Sequence, residues 1–366
     1  MRTTLMILAL AAYAAGCANF SPESSTATLG VMRACEGRWT TVDVSGPAPR
    51  EWVTVTRTPR GAVIFGGRAD TELSDGWRYD GAFAPLAREG QPSPRAGHAA
   101  AWSRDRLCVW GGEAGRSPLD DGACWIAADD RWVAMSTEGA PSARAAMAFT
   151  ATAGGVFVFG GRDAEDGTFD DGATYDVSSD RWTALAPRGP RARYNAVAAA
   201  LSSGVLVWGG AGEALALGAE DAAIFSAGAW RSVDVSAAPA VREGPGAAAL
   251  DDGLLVWGRE RCAWFDGATA SWVELSAEGM PSPRWGASVV VTPTAVVVWG
   301  GRDEAGLRGD GACWDRASRR WVALPTEGAP SPRADAVALE WGGRVLILWG
   351  RDDGGLRGDA YALELR

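Results

Sequence analysis

Val156-Phe157-Val158-Phe159-Gly160-Gly161-Arg162 is an apolar strand that runs straight into a glycine pair and an arginine, and variants of it occur seven times in the chain. The other copies are VIFGGR (63–68), LCVWGGE (107–113), VLVWGGA (205–211), LLVWGR (254–259), VVVWGGR (296–302) and LILWGR (346–351). Their first glycines, Gly66, Gly111, Gly160, Gly209, Gly258, Gly300 and Gly350, lie 42 to 50 residues apart. A short apolar run bounded by glycine reads as a strand ending in a turn. Self-similarity at this period marks a propeller or a solenoid.

Each copy carries more than its glycines. Downstream lies an aromatic in a strand-like segment (Tyr79, Trp125, Tyr175, Phe225, Phe265, Trp314, Tyr361), followed in most copies by a second (Trp132, Trp182, Trp230, Trp272, Trp321), with Phe83 in that place in the first. Upstream, an arginine opens a strand of small residues: Arg50, Arg95, Arg144, Arg193, Arg242, Arg284 and Arg333. Every unit therefore reads as four short strands, a to d. With its glycine pair after an apolar strand and its spaced aromatics, the chain resembles the Kelch family from about Gly37 to Arg366. It departs from the pattern at Gly258-Arg259 and Gly350-Arg351, where the second glycine is missing. The resemblance implies an all-β, seven-bladed Kelch-type β-propeller.

The last unit ends at Tyr361–Arg366 without a tryptophan strand, while Gly37–Asp43 (GRWTTVD) is a tryptophan strand without its other three. The N-terminal segment is thus expected to complete blade seven and close the ring, which removes two sheet edges. Residues 37–366 then form one closed domain, whose growth by repetition explains its size.

Met1-Arg2, the apolar run Thr3–Tyr13 and Ala14-Ala15-Gly16-Cys17 resemble a bacterial lipoprotein signal over 1–16, with acylation on Cys17 and a polar tether over 17–36 that contains SPESSTAT. Ala12-Tyr13-Ala14 also suits an ordinary signal peptidase, which leaves secreted or periplasmic soluble protein as the alternative. By resemblance to such lipoproteins, Ala18 favours the outer membrane. The expectation is a monomer in the bacterial cell envelope that touches membrane only through its anchor.

A net charge of −10, with all 35 basic residues arginine, argues against nucleic-acid binding, which needs clustered cations. Cys108 and Cys124 should lie on neighbouring strands of blade two, where a disulfide is possible, though strand register could equally keep them apart. Cys35, Cys262 and Cys313 fall in different blades and read as unpaired buried residues. No cysteine has metal-site spacing, so no metal or cofactor is expected. His98 is the only histidine, which leaves no Ser-His-Asp triad, multi-histidine zinc site or galactose-oxidase copper centre. It is read as structural, at a place where Kelch repeats often carry a histidine. The glycine pairs end strands instead of opening helices and lack a phosphate-loop signature. No catalytic residue emerges.

Strand order collects the arginines, the d-to-a loops such as Thr137–Arg144, and the segments after the glycines on one rim. Regular recurrence favours a structural network there, each arginine held by Glu89, Glu138, Glu278, Glu327 or by an aspartate opening strand c (Asp75, Asp121, Asp171, Asp221, Asp310, Asp359). Blade five breaks the symmetry, with six residues between Gly258 and Phe265 against eleven to fourteen elsewhere after the glycine pairs. The expected dip in the rim gives the candidate ligand-binding residues Arg259, Glu260, Arg261, Glu213, Arg302, Asp303, Arg242 and Arg284. The favoured function is a non-enzymatic envelope scaffold that binds a protein or polysaccharide on this rim. The alternative is a sugar epimerase or mutarotase acting on an anionic sugar such as sialic acid, since periplasmic sialic-acid mutarotases are also Kelch propellers.

Overall fold

The computed structural model describes residues 35–212, 221–240 and 246–365. Seven four-stranded antiparallel sheets follow one another around a central axis. Blade two is representative: Ala99–Ser103 lies innermost, then Arg106–Trp110, Gly122–Ile126 and, outermost, Arg131–Ala134. The order a-b-c-d holds in every blade, and the expected ring closure is present. Gly37–Thr41 pairs antiparallel with Ala360–Leu365, from Gly37 opposite Leu365 to Thr41 opposite Tyr361.

The core is divided seven ways. Successive side chains of a strand face opposite sides of its sheet, so each blade presents two apolar faces to two neighbours. In blade five Leu254 and Val256 pack into a cluster shared with blade four, whereas Leu255 and Trp257 pack into one shared with blade six. The aromatics lock these seams. The aromatic before the glycine turn meets the outer-strand tryptophan of the next blade: Phe65 with Trp132 at 5.0 Å, Trp110 with Trp182 at 5.3 Å, Phe159 with Trp230 at 5.3 Å, Trp208 with Trp272 at 5.6 Å and Trp257 with Trp321 at 5.2 Å. The N-terminal strand continues the series, because Trp39 meets Trp299 at 5.9 Å and donates from Nε1 to the Pro325 carbonyl at 2.7 Å. Trp182 makes the equivalent bond to the Ser136 carbonyl.

Among the described residues two disulfides are present. Cys108–Cys124 joins directly opposed residues of strands b and c in blade two, so the register is the one that permits the bridge. Cys35–Cys313 corrects the reading of both residues as unpaired. It ties the segment entering the N-terminal strand to strand c of blade six, across a seam that sequence distance hides. Cys262 remains a buried free thiol, and burial pushes it up to about 11.

Candidate functional site

The repeated arginines form a structural ring. Arg50, Arg95, Arg144, Arg193, Arg284 and Arg333 are all buried. Each places Nε on the carbonyl two residues back and Nη1 on the carbonyl of the turn after strand b: for Arg95, Ser93 O at 2.9 Å and Gly111 O at 3.1 Å. Each then pairs with the aspartate opening strand c, as in Arg95–Asp121 at 2.9 Å, Arg144–Asp171 at 2.7 Å and Arg284–Asp310 at 3.0 Å. The aspartates, and not the loop glutamates, hold the arginines. A short side chain on a strand beside the turn offers a fixed oxygen, whereas a glutamate on a loop must lose more side-chain freedom to do so. The Arg333 hydrogen bonds are the main cause that holds Asp359 below the usual carboxylate range.

Blade five departs from this pattern. Gly258 donates its N–H to the Arg261 carbonyl, so Arg261 stands where the other blades carry the aspartate. The connection from Trp257 to Cys262 is a tight turn, as the short spacing required. Among the candidate ligand residues, Arg259 faces Glu304 at 3.5 Å and Arg261 donates to the Ser236 carbonyl at 3.1 Å. Glu260 is exposed. Arg302 reaches Asp353 of the next blade at 3.3 Å, and Asp303 is held by Arg308 and Ser282. Arg259, Arg302 and Asp303 therefore lie on one stretch of rim spanning blades five and six. Arg284 is buried in its clamp and joins Asp303 through one hydroxyl, donating to Ser282 Oγ at 2.8 Å while that group donates to Asp303. Glu213, Arg242 and Cys17 fall outside the described residues.

A second constellation, not singled out from sequence, lies at the mouth of the central channel. Two residues after each of the six described repeated arginines the backbone enters the left-handed region: Trp52 (φ 53°), Gly97 (59°), Ala146 (55°), Asn195 (52°), Gly286 (62°) and Asp335 (55°). For a non-glycine residue this conformation costs about 1 kcal/mol, and it is held by bonds running from blade to blade. Ala146 N–H donates to Gly97 O at 3.2 Å, Asn195 N–H to Ala146 O at 2.7 Å and Asp335 N–H to Gly286 O at 2.8 Å. Beneath this collar a cavity of about 150 Å³ is walled by the inner strands. Its lining combines the apolar Val53, Val55, Met147, Phe149 and Val337 with Trp52, Thr54, His98, Glu113, Arg162, Asn195, Ser288 and Asp335.

Among the described residues two ion pairs stand beside the mouth. Glu51 takes two bonds from Arg351, at 2.7 and 3.1 Å, and Glu113 faces Arg162 at 3.2 Å. Both pairs cross a blade boundary. Burial pushes the Asp335 carboxyl up to about 6, helped by Glu51 and opposed by Arg351 and Arg302. Burial, with Arg95 nearby, drives His98 down to about 3, so its ring is neutral at physiological pH. His98 Nε2 lies 2.8 Å from Thr54 Oγ1, whose own hydroxyl points to Phe65 O at 3.4 Å. Which of the two donates is set by the imidazole tautomer. Nδ1 has no hydrogen-bond partner, nor has Nδ2 of Asn195. The sequence carried no signal for this collar, because the position two beyond the repeated arginine varies from blade to blade and so do its neighbours.

Among the described residues no group of three or more histidine, cysteine, aspartate or glutamate side chains is arranged to hold a metal ion. The family model of the KLHDC2/KLHL20/DRC7 Kelch-repeats domain matches residues 3–210, over half of the chain. No curated protein matches the chain.

Proposed function

The chain belongs to the Kelch-repeat family, whose propellers are commonly protein-interaction scaffolds, and we propose that it is a non-enzymatic binding scaffold of the bacterial cell envelope that engages a protein partner on its loop-rich rim. The observation that carries this reading is the build of that rim. Three two-stranded hairpins, at residues 113–118, 302–307 and 351–356, rise between strands b and c of blades two, six and seven. They expose charge on a stiff frame: Glu304 and Asp353 are 83% and 89% exposed, yet each lies opposite an arginine of a neighbouring blade. A rigid scaffold with charged loops suits electrostatic selection of a partner more than turnover of a substrate.

Envelope placement is supported by the lipoprotein-like start of the sequence and by the two disulfides, which suit an oxidising compartment. On this reading residues 1–16 are removed, Cys17 is acylated, and the following residues tether the ring to the outer membrane. Partner capture from envelope extracts tests the rim. Arg302→Glu combined with Asp353→Arg should abolish enrichment of a partner that Arg131→Ala retains. No enriched partner, or enrichment indifferent to the rim changes, overturns the reading. A Cys17→Ala variant should leave the membrane fraction, and one that stays fully membrane-bound contradicts lipidation.

A further inference from the structure

We infer that the Cys35–Cys313 disulfide is a mechanical staple, which carries tension on the chain upstream of Cys35 into blade six and keeps it off the strand that closes the ring.

The closing strand alone is poorly placed to resist a pull. Gly37–Thr41 is the outermost strand of its sheet and bonds to one neighbour, Ala360–Leu365. The first pair, Gly37 with Leu365, lies at the end nearest Cys35, so upstream tension would meet the ladder there and open it rung by rung. Forced unfolding follows the barrier to opening, and a ladder loaded one rung at a time presents a low one. Past Thr41 there is one further rung, Val42 N–H on the Ala360 carbonyl. Residues 42–49 belong to no strand. The next firm hold is the buried Arg50, paired with Asp75 at 2.6 Å.

The disulfide stands where it would intercept that pull. Cys35 lies just before the closing strand, between it and everything upstream. Its partner belongs to Gly311–Asp315, an inner strand bonded on one side to Ala295–Trp299 and on the other to Arg320–Ala323. Force delivered to Cys313 is therefore resisted by two ladders instead of one. Cys35 and Cys313 are 3% and 0% exposed and share a cluster with Trp39, Trp299 and Leu363, so the pull is received by packed core. Cys108–Cys124 offers no such protection, because it joins neighbouring strands of a single blade.

Ring closure thus becomes independent of how hard the upstream chain is pulled. Peeling would bare the edge of Ala360–Leu365 to foreign strands, and the staple prevents it. The envelope reading proposed above enters only as the source of tension, through a lipid anchor; the staple acts for any attachment upstream of Cys35.

Optical-trap pulling on the intact chain tests this. Handles are joined through non-natural residues at Ser21, upstream of the staple, and at Ala128, an exposed turn position of blade two, so that no thiol is added. Oxidised wild type should show no extension before the ring unfolds. Cys35→Ser and Cys313→Ala should each add an early step at lower force, of about 50 Å, the length of residues 35–49 at roughly 3.4 Å each. The double variant Cys108→Ser, Cys124→Ser should add none. Wild type refolded in reductant serves where a staple variant loses its native circular dichroism. An early step of that length in oxidised wild type, or its absence when the staple is removed from folded protein, overturns the inference. Acylation is read separately by the Cys17→Ala fractionation: a Cys17→Ala protein that stays membrane-bound, beside a staple that holds in the trap, removes the lipid as the source of the pull and leaves the staple standing.

Discussion

Truncating Trp39 to alanine measures how firmly the N-terminal strand is built into the ring. The side chain is 4% exposed and packs among Val297, Ile347 and Leu363, against the edge of Trp299. Removal of a buried tryptophan costs about 3–5 kcal/mol through lost transfer energy and the void left behind. Within that, the aromatic pair accounts for about 1 kcal/mol and the abandoned Pro325 carbonyl for about 1 more. Trp182 supplies the internal standard, since it has the same environment inside an uninterrupted blade, with Trp110 at 5.3 Å and Ser136 O at 2.8 Å. Guanidinium unfolding followed by circular dichroism should place Trp39→Ala and Trp182→Ala within about 1 kcal/mol of each other. The Cys35–Cys313 bond sharpens the comparison. It closes a loop of 278 residues, for which chain entropy gives about 6 kcal/mol as an upper figure. Under reducing conditions the Trp39 variant should therefore lose more stability than the Trp182 variant does. A Trp39→Ala protein within about 1 kcal/mol of wild type, beside a Trp182→Ala protein that falls by 3–5, would refute a strand fully integrated into blade seven.

Other expectations concern the clamp, the histidine and the thiols. Arg95→Met strands the carbonyls of Ser93, Gly111 and Asp121 and should cost about 3 kcal/mol, whereas Asp121→Asn, on a side chain 51% exposed, should cost about 1; equal losses by chemical unfolding would contradict the clamp. His98 has a folded-state value depressed from 6.5 to about 3, so the unfolded chain binds its proton first. Its contribution is complete above pH 6.5 and is lost as pH falls towards 3. Urea midpoints measured between pH 4 and 7 should consequently fall less steeply for His98→Gln than for wild type, with Asp335, whose raised value acts in the opposite sense, common to both. Parallel pH curves would show that the imidazole is not held neutral. Among the described residues, alkylation under denaturing, non-reducing conditions should label Cys262 and spare Cys35, Cys108, Cys124 and Cys313, as read by peptide mass spectrometry.

The ring was legible because its evidence is periodic. Gly66 and its six counterparts, the paired aromatics and the arginines each report the same phase, and a strand such as Leu254–Trp257, apolar throughout, signals burial on both faces of a sheet. The use of the rim charges was not legible. Sequence places Arg284, Arg302 and Asp303 on one edge, but whether an arginine is consumed by a clamp or turned outward depends on which oxygen lies within 3 Å, and this is set by strand register. The channel collar escaped for a related reason. Asn195 and Asp335 look unremarkable in their own units, and only closure of the circle brings them to a common axis. Cys35 and Cys313 were hidden in the same way, since their proximity exists at the seam alone.

That seam also governs the order in which the protein can be made. The strand Gly37–Thr41 leaves the ribosome among the first parts of the ring, but its partner Ala360–Leu365 is the last. Blades one to six can assemble as they emerge, each on the one before, while the first strand waits with its backbone groups and Trp39 unpaired for almost the whole of synthesis. Blade seven is therefore completed only after Ala360–Leu365 has emerged. Any factor that shields an early, exposed β-edge would act on this chain at Gly37–Thr41, and a stalled or C-terminally truncated product would betray itself by that strand remaining open to a foreign partner.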